Sequence, residues 1–294
     1  MYGHMSADKS FDSIMQLLGV DEFKATVERL RKFQQNKETF AASDVTLPNY
    51  LWIAKRGGGV STCINAFAEY LHAAEIIEFT GIVKYFEFKL AYIVPDAYFS
   101  ELARLNNTIT EIAGHHRYFR GVACINIDEW IQHTNETHFT KFLDYLGSKK
   151  DKILAVFYVH TSDKRTVEAI ESTLTSYTRL ETVNLRFPTT EELLEHYISK
   201  YFIKQGFFLT NDAMLLLAES IQEIVTGKHF YGFFTIKQLA NDILFSLLTS
   251  NLNGHDISAD MLSDFRKDSA YIKRIKKFIG SGNVIGFNAS MEEY

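Results

Sequence analysis

Leu51-Trp52-Ile53-Ala54-Lys55-Arg56-Gly57-Gly58-Gly59-Val60-Ser61-Thr62-Cys63-Ile64 is the stretch on which the fold turns. A short apolar run enters three consecutive glycines and then Ser-Thr. Beyond them Cys63, Ile64, Phe67, Ala68, Leu71 and Ala74 recur on one helical face, which predicts strand, tight turn and a helix packed on a sheet. Glycines let backbone N–H groups converge, and a helix N-terminus adds partial positive charge, so the stretch is a candidate anion cradle. The phosphate-binding P-loop reads G-x-x-x-x-G-K-[ST]. In that frame the chain has Ala54 for the first glycine, Gly59 for the second, Val60 for the lysine and Ser61 for the hydroxyl. The scaffold of a phosphate site is there without its central charge. A plain tight turn is the alternative reading of the same residues.

At 294 residues the chain is long enough for a core and a smaller appendage. With 46% hydrophobic and 23% charged residues, and no repeat or low-complexity segment, it reads as an ordinary globular protein. A formal net charge of −5 argues against wholesale coating of nucleic acid, leaving only a local basic patch for such a partner. Cys63 and Cys124 are the only cysteines, without CxxC spacing, so neither a disulfide framework nor a zinc site is expected. No charged-then-apolar leader and no apolar run of about 18 residues occur, so the expectation is a cytoplasmic protein without a membrane partner.

Taken in order, residues 11–32 carry helical periodicity broken at Gly19, with Asp21 as N-cap of the second half, and 34–47 read as a polar loop. Apolar strands are expected at 50–53, 86–94 (closed by Pro95-Asp96), 122–127, 153–159 and 182–187 (stopped by Pro188). A helix through Leu102, Leu105, Ile109 and Ile112 separates the second strand from the third. Near-continuous apolar strands alternating with helices predict an α/β fold: a five-stranded parallel sheet with the first strand central, covered on both faces in three αβα layers. From Thr190 onward only helical periodicity remains, at 191–201, 211–224 and 235–248. The expected domains are a helical segment and linker over 1–45, a P-loop-like core over 46–189, a small all-helical domain over 190–280 and a flexible tail over 281–294.

In an open parallel sheet, ligands bind at the carboxyl ends of the strands. Three features fall there: the glycine turn after the first strand, Asp128-Glu129 after the third, and His160-Thr161 after the fourth. An apolar strand followed by Asp-Glu is the Walker B arrangement, in which Asp holds the Mg²⁺ shell and Glu polarises the attacking water. Asn126 interrupts the apolar run here, and helix capping is the other reading of the acidic pair.

Together these features resemble an AAA+ ATPase module, especially the bacterial branch containing stage V sporulation and red-type rubisco activase proteins. Leu17-Leu18-Gly19-Val20-Asp21-Glu22-Phe23-Lys24 resembles the family's N-terminal (I/L)GL-(D/E)-x-V-K segment, and residues 51–71 align without a gap on the Walker A strand, loop and helix. Residues 124–129 resemble Walker B, and His160 or Thr161 stands where sensor 1, usually Asn, would be. Residues 174–187 resemble the L-x-S-R-F…F-P run, with Arg179 in the arginine position. The resemblance covers about residues 11–250 and implies that 190–280 is a helical lid. It further implies ATP or ADP with Mg²⁺ as ligand. Nucleotide would contact Lys55, Arg56, Gly57, Gly58, Gly59, Ser61 and Thr62; Ser61 and Asp128 would hold the metal; Glu129, His160, Thr161 and Arg179 would be the catalytic candidates.

The departures set the expected function. Val60 removes a charge-assisted phosphate contact worth roughly 1.5–3 kcal/mol. The lid's sensor 2 arginine would fall at Phe234 or Thr235, and the nearest cation is Lys237. Lys55 and Arg56 either reach back toward the phosphates or form a solvated pair. The leading expectation is a degenerate AAA+-like P-loop protein with weakened or lost nucleotide binding, acting as a regulatory or scaffolding subunit through assembly with itself or a protein partner. The alternatives are an active Mg-dependent ATPase that remodels a protein partner, and a nucleic-acid-associated adaptor resembling the non-hydrolysing subunits of clamp loaders. The adaptor reading rests on an expected basic C-terminal helix carrying Arg266-Lys267 and Lys273-Arg274-Lys276-Lys277. Tyr98-Phe99 and His115-His116 read as core packing and a polar connection respectively.

Overall fold

The computed structural model describes residues 6–40, 46–77, 81–87, 107, 120–133, 136–148, 153–226, 230–249 and 254–267. The expectations at Tyr98-Phe99, the helix around Leu105, His115-His116, the basic cluster at 273–277 and the tail at 281–294 lie outside those residues. The chain divides into two compact units, Met1–Pro188 and Thr189–Tyr294.

The described elements of the first unit are α1 (Ala7–Met15), α2 (Asp21–Phe40), β1 (Asn49–Ala54), α3 (Val60–Ala73), β2 (Gly81–Glu87), β3 (Gly121–Asn126), α4 (Asp128–His133), α5 (Glu136–Gly147), β4 (Ile153–Val159), α6 (Lys164–Thr175) and β5 (Leu180–Leu185). Strands β3, β4, β1 and β5 form an uninterrupted parallel ladder. β2 joins the β3 edge with a register shift between Val83 and Phe86, giving the order β2-β3-β4-β1-β5. The fold is therefore α/β with a parallel sheet. Two placements differ from expectation. β4, not β1, holds the middle, with β1 between β4 and β5. The second strand begins at Gly81 rather than Phe86, and residues 88–94 lie outside the description.

Every residue of β3 and β4 is buried, because helices cover both faces. On one face Tyr50, Trp52, Cys124, Val156, Tyr158 and Val183 meet α1, α2 and α3 through Ile14, Phe23, Val27 and Phe67. On the other, Leu51, Ile53, Ile125, Phe157 and Val159 meet α4, α5 and α6 through Trp130, Phe139, Phe142, Ile170 and Leu174. Alternate residues of each strand thus serve opposite layers, which is why the strands read as continuous apolar runs. The N-terminal helices belong to this core. α2 also shields the outer edge of β5: the Glu22 carboxylate accepts the Asn184 backbone N–H at 2.7 Å, and Asp21 accepts from the Arg186 guanidinium at 3.0 Å. Asp21 is spent on Arg186, inside the first turn of α2. That helix runs on through residues expected to be a loop, since Gln, Lys and Glu are good helix formers.

Both thiols sit on the first face, where burial pushes Cys63 and Cys124 up to about 12 and leaves them protonated and inert. α3 ends in a Schellman motif: Ile76 N–H donates to the Leu71 carbonyl at 3.0 Å and Glu75 N–H to the His72 carbonyl at 3.1 Å. The left-handed position is filled by Glu75, with φ 52°, where glycine is the unstrained residue. Glu75→Gly is expected to stabilise the unit by about 1 kcal/mol, raising Tm by roughly 2–4 °C in a thermal melt. An unchanged or lowered Tm would show that the strain is absorbed elsewhere.

The second unit opens on a capping box, Thr189 with Glu192, and continues as α7 (Thr190–Leu193), a π-helical turn (Leu194–Ile198) and α8 (Ser199–Lys204). Then come β6 (Phe208–Leu209), α9 (Asn211–Val225), α10 (Phe233–Thr249), β7 (Asp256–Ile257) and α11 (Ala259–Lys267). Ile198, Phe202, Ala213, Leu217, Ile221, Ile236, Leu239 and Ile243 form its apolar interior. The expectation of helices alone fails here, because β6 and β7 pair in parallel. No helix among the described residues is long and apolar enough to cross a membrane.

Candidate functional site

The order of strands fixes where a crevice can open. α3 leaves β1 over the first face and leads to the far edge at β2, whereas α6 leaves β4 over the opposite face and leads to β5. β1 and β4 are neighbours, with Ile53 paired to Val159, so their connections diverge at their carboxyl ends. That divergence is the topological switch point at which open α/β sheets bind ligands. The glycine turn stands on the β1 side of it and His160 on the β4 side.

On the β1 side, the Lys55 carbonyl accepts the Gly58 N–H at 2.9 Å, closing a four-residue turn. Its third residue, Gly57, has φ 72°, and Gly59 has φ 88° as N-cap of α3, so both positions favour glycine. A Cβ on Gly58 would stand 2.8 Å from the Lys55 carbonyl oxygen, so the middle glycine is fixed by close approach. Gly59 supplies no side-chain cap, and the first intrahelical bonds come from Thr62 and Cys63 to its carbonyl. The N–H groups of Val60 and Ser61 therefore precede the helical ladder, at the positive end of α3. Lys55, Arg56, Ser61 and Thr62 are exposed around this turn, and half-buried Val60 packs against the first-face core.

On the other side of the crevice, the residue that opens α4 just after β3 and the residue that follows β4 are locked together. Asp128 Oδ1 accepts the His160 backbone N–H at 2.7 Å, and Oδ2 is 2.6 Å from His160 Nδ1. Asn126 completes the group: its Oδ1 accepts the Asp128 N–H at 2.7 Å and its Nδ2 donates to Asp128 Oδ2 at 3.3 Å. Burial pushes the Asp128 carboxyl up, but the hydrogen bonds from the His160 ring and backbone, the imidazole's charge and the Asn126 amide outweigh it. The net result lies below the usual carboxylate range. The Tyr158 ring meets the imidazole edge-on at 5.4 Å.

Compared with protein-family models and with curated proteins, the chain matches none. What the site can do follows from its own residues.

The structure brings Asp128 and His160 together and places the glycine turn one strand away, since β4 alone separates β3 from β1. Glu129 follows in the first turn of α4. Thr161 spends its hydroxyl on the loop before α6, accepting the Asp163 N–H at 3.1 Å. Arg179 does not join the cluster. It is exposed beside the first residue of β5, where its carbonyl accepts the Asn49 N–H at 2.9 Å. That is the amino end of the sheet, one strand length, roughly 15–20 Å, from the crevice. Asn126 was read from the sequence only as a break in the apolar run and was given no part in the site. Its signal was present as the one amide in the apolar third strand, and it is 6% exposed. For a magnesium ion the implied donors are Ser61 and Asp128, but both carboxylate oxygens of Asp128 already accept from within the protein. Among the described residues no group of three or more His, Cys, Asp or Glu side chains is arranged to hold a metal ion.

Proposed function

We propose that this chain is a degenerate AAA+-like module whose crevice holds a phosphate-bearing ligand of the nucleotide class weakly, and whose role is regulatory or scaffolding. The observation that supports it is the glycine turn leading into the N-terminus of α3, at the switch point and beside a partly buried Asp–His pair. A cradle of that shape favours an anion through backbone N–H groups and the helix dipole alone. Without a lysine at position 60, the contact that ordinarily secures the β- and γ-phosphates is missing. The second unit is assigned the part of the helical lid that the resemblance implies. Arg179, at the far end of its own sheet, serves a crevice only across an interface with a second copy, so any assisted turnover should rise with protein concentration.

A calorimetric titration with ATP tests the reading, with an affinity in the high-micromolar range or weaker and turnover slow or absent as the expected result. Val60→Lys should tighten binding about tenfold, or ~1.4 kcal/mol. The lysine stem would replace valine against the core while its ammonium reached the cradle. An unimproved affinity would mean that the turn holds no phosphate. Steady turnover abolished by Glu129→Gln would instead establish the active-ATPase reading.

A further inference from the structure

The resemblance would make Asp128 a magnesium ligand, and its surroundings do not fit that part. Its carboxylate offers about four acceptor positions. Oδ1 takes the His160 backbone N–H at 2.7 Å, while Oδ2 is 2.6 Å from His160 Nδ1 and takes the Asn126 amide at 3.3 Å. Only 19% of its side chain is exposed. An ionised carboxylate can only accept, so the ring nitrogen facing it, Nδ1, carries a proton. Magnesium demands near-octahedral oxygen donors at about 2.0–2.1 Å, or water-bridged ones just beyond. Three of the four positions are taken, and a magnesium ion on the fourth, at Oδ1, would stand beside the His160 N–H donors that already satisfy a partly buried charge.

We propose that Asp128 is a positioning residue for His160 rather than a metal ligand, and that the crevice takes its phosphate-bearing ligand without a divalent ion. The second half rests on the phosphate reading above. The first half does not. Asn126 fixes Asp128, Asp128 fixes the imidazole, and the chain of three ties the ends of β3 and β4 beside the glycine turn.

Two measurements on the full chain test this. The ¹⁵N resonances of the His160 ring should show Nδ1 protonated, and Asp128→Ala should return the ring to the Nε2-protonated form that an unconstrained imidazole prefers. Paramagnetic Mn²⁺ added alone should leave those wild-type resonances unbroadened. ATP titrated with Mg²⁺ and again with EDTA should give affinities within about threefold of each other. Selective broadening of His160 by Mn²⁺ would overturn the assignment of Asp128. So would a tenfold gain with Mg²⁺ that Asp128→Ala removes. ATP that binds under neither condition would overturn the phosphate half, while the Mn²⁺ result, which needs no variant and no nucleotide, still decides Asp128.

Discussion

Gly19→Ala should cost the first unit about 2–5 kcal/mol, far more than its single methyl group suggests. Gly19 lies between α1 and α2 with φ 70°, a conformation that costs an L-residue roughly 1–2 kcal/mol. A Cβ built there would stand 2.7 Å from the Arg186 carbonyl oxygen, 2.7 Å from Pro188 N and 2.9 Å from Pro188 Cδ. Two of those atoms are backbone, so relief requires moving the chain just after β5 or the start of α2, and overpacking of this kind costs about 1–3 kcal/mol. The same movement would strain the Glu22–Asn184 and Asp21–Arg186 contacts that fasten α2 to β5. The midpoint of thermal or urea unfolding should fall by at least about 5 °C or its urea equivalent. Gly147→Ala is the control, because a Cβ there meets nothing within 4 Å. Equal midpoints for the two variants would show that the α1–α2 connection is not seated against Pro188.

Most of the parallel sheet was legible because its strands are buried on both faces, and burial on both faces leaves an apolar run that needs no periodicity to be seen. β2 was misplaced for a related reason. The sequence from Gly81 to Val94 has a strand-like composition throughout, with Lys84, Glu87 and Lys89 the only charges, so composition could not say where the pairing with β3 begins. α2 overran its expected end because the apolar stripe stops near Phe33 while helix propensity continues in Gln, Lys and Glu. β6 and β7, two residues each, are too short to carry any pattern and exist only through tertiary pairing. In the site, the turn and the Asp128–His160 neighbourhood were legible because strand ends in a parallel sheet converge. The engagement of Asp128 was not. It depends on a bond across two strands 32 positions apart in sequence and on a local turn through Asn126, and neither leaves a mark on one-dimensional spacing.

Phe67→Ala should combine a large loss of stability with a loss of whatever affinity the glycine turn supports. Phe67 is wholly buried on α3, and its ring lies 5.4 Å from Tyr50, 5.7 Å from Phe23 and 5.9 Å from Trp52. Truncating such a ring costs about 3–5 kcal/mol, because the transfer term and the residual cavity add. Edge-to-face pairs contribute a further share that the cavity forfeits. Phe67 stands two turns beyond Val60, and the same helix presents the Val60 and Ser61 N–H groups to the crevice. A helix released from Trp52 and Tyr50 can tilt or slide, and donors that must converge on one phosphate tolerate little of either. Phe142→Ala supplies the matched comparison: that ring is 1% exposed in the core on the opposite face, against helices that do not carry the turn. Both variants should lose comparable stability in urea. In the Val60→Lys background, where ATP affinity is expected to be highest, only Phe67→Ala should weaken binding, by about tenfold, measured where both proteins remain folded. Equal affinities would detach the position of α3 from the cradle and leave the glycine turn as a connection between strand and helix.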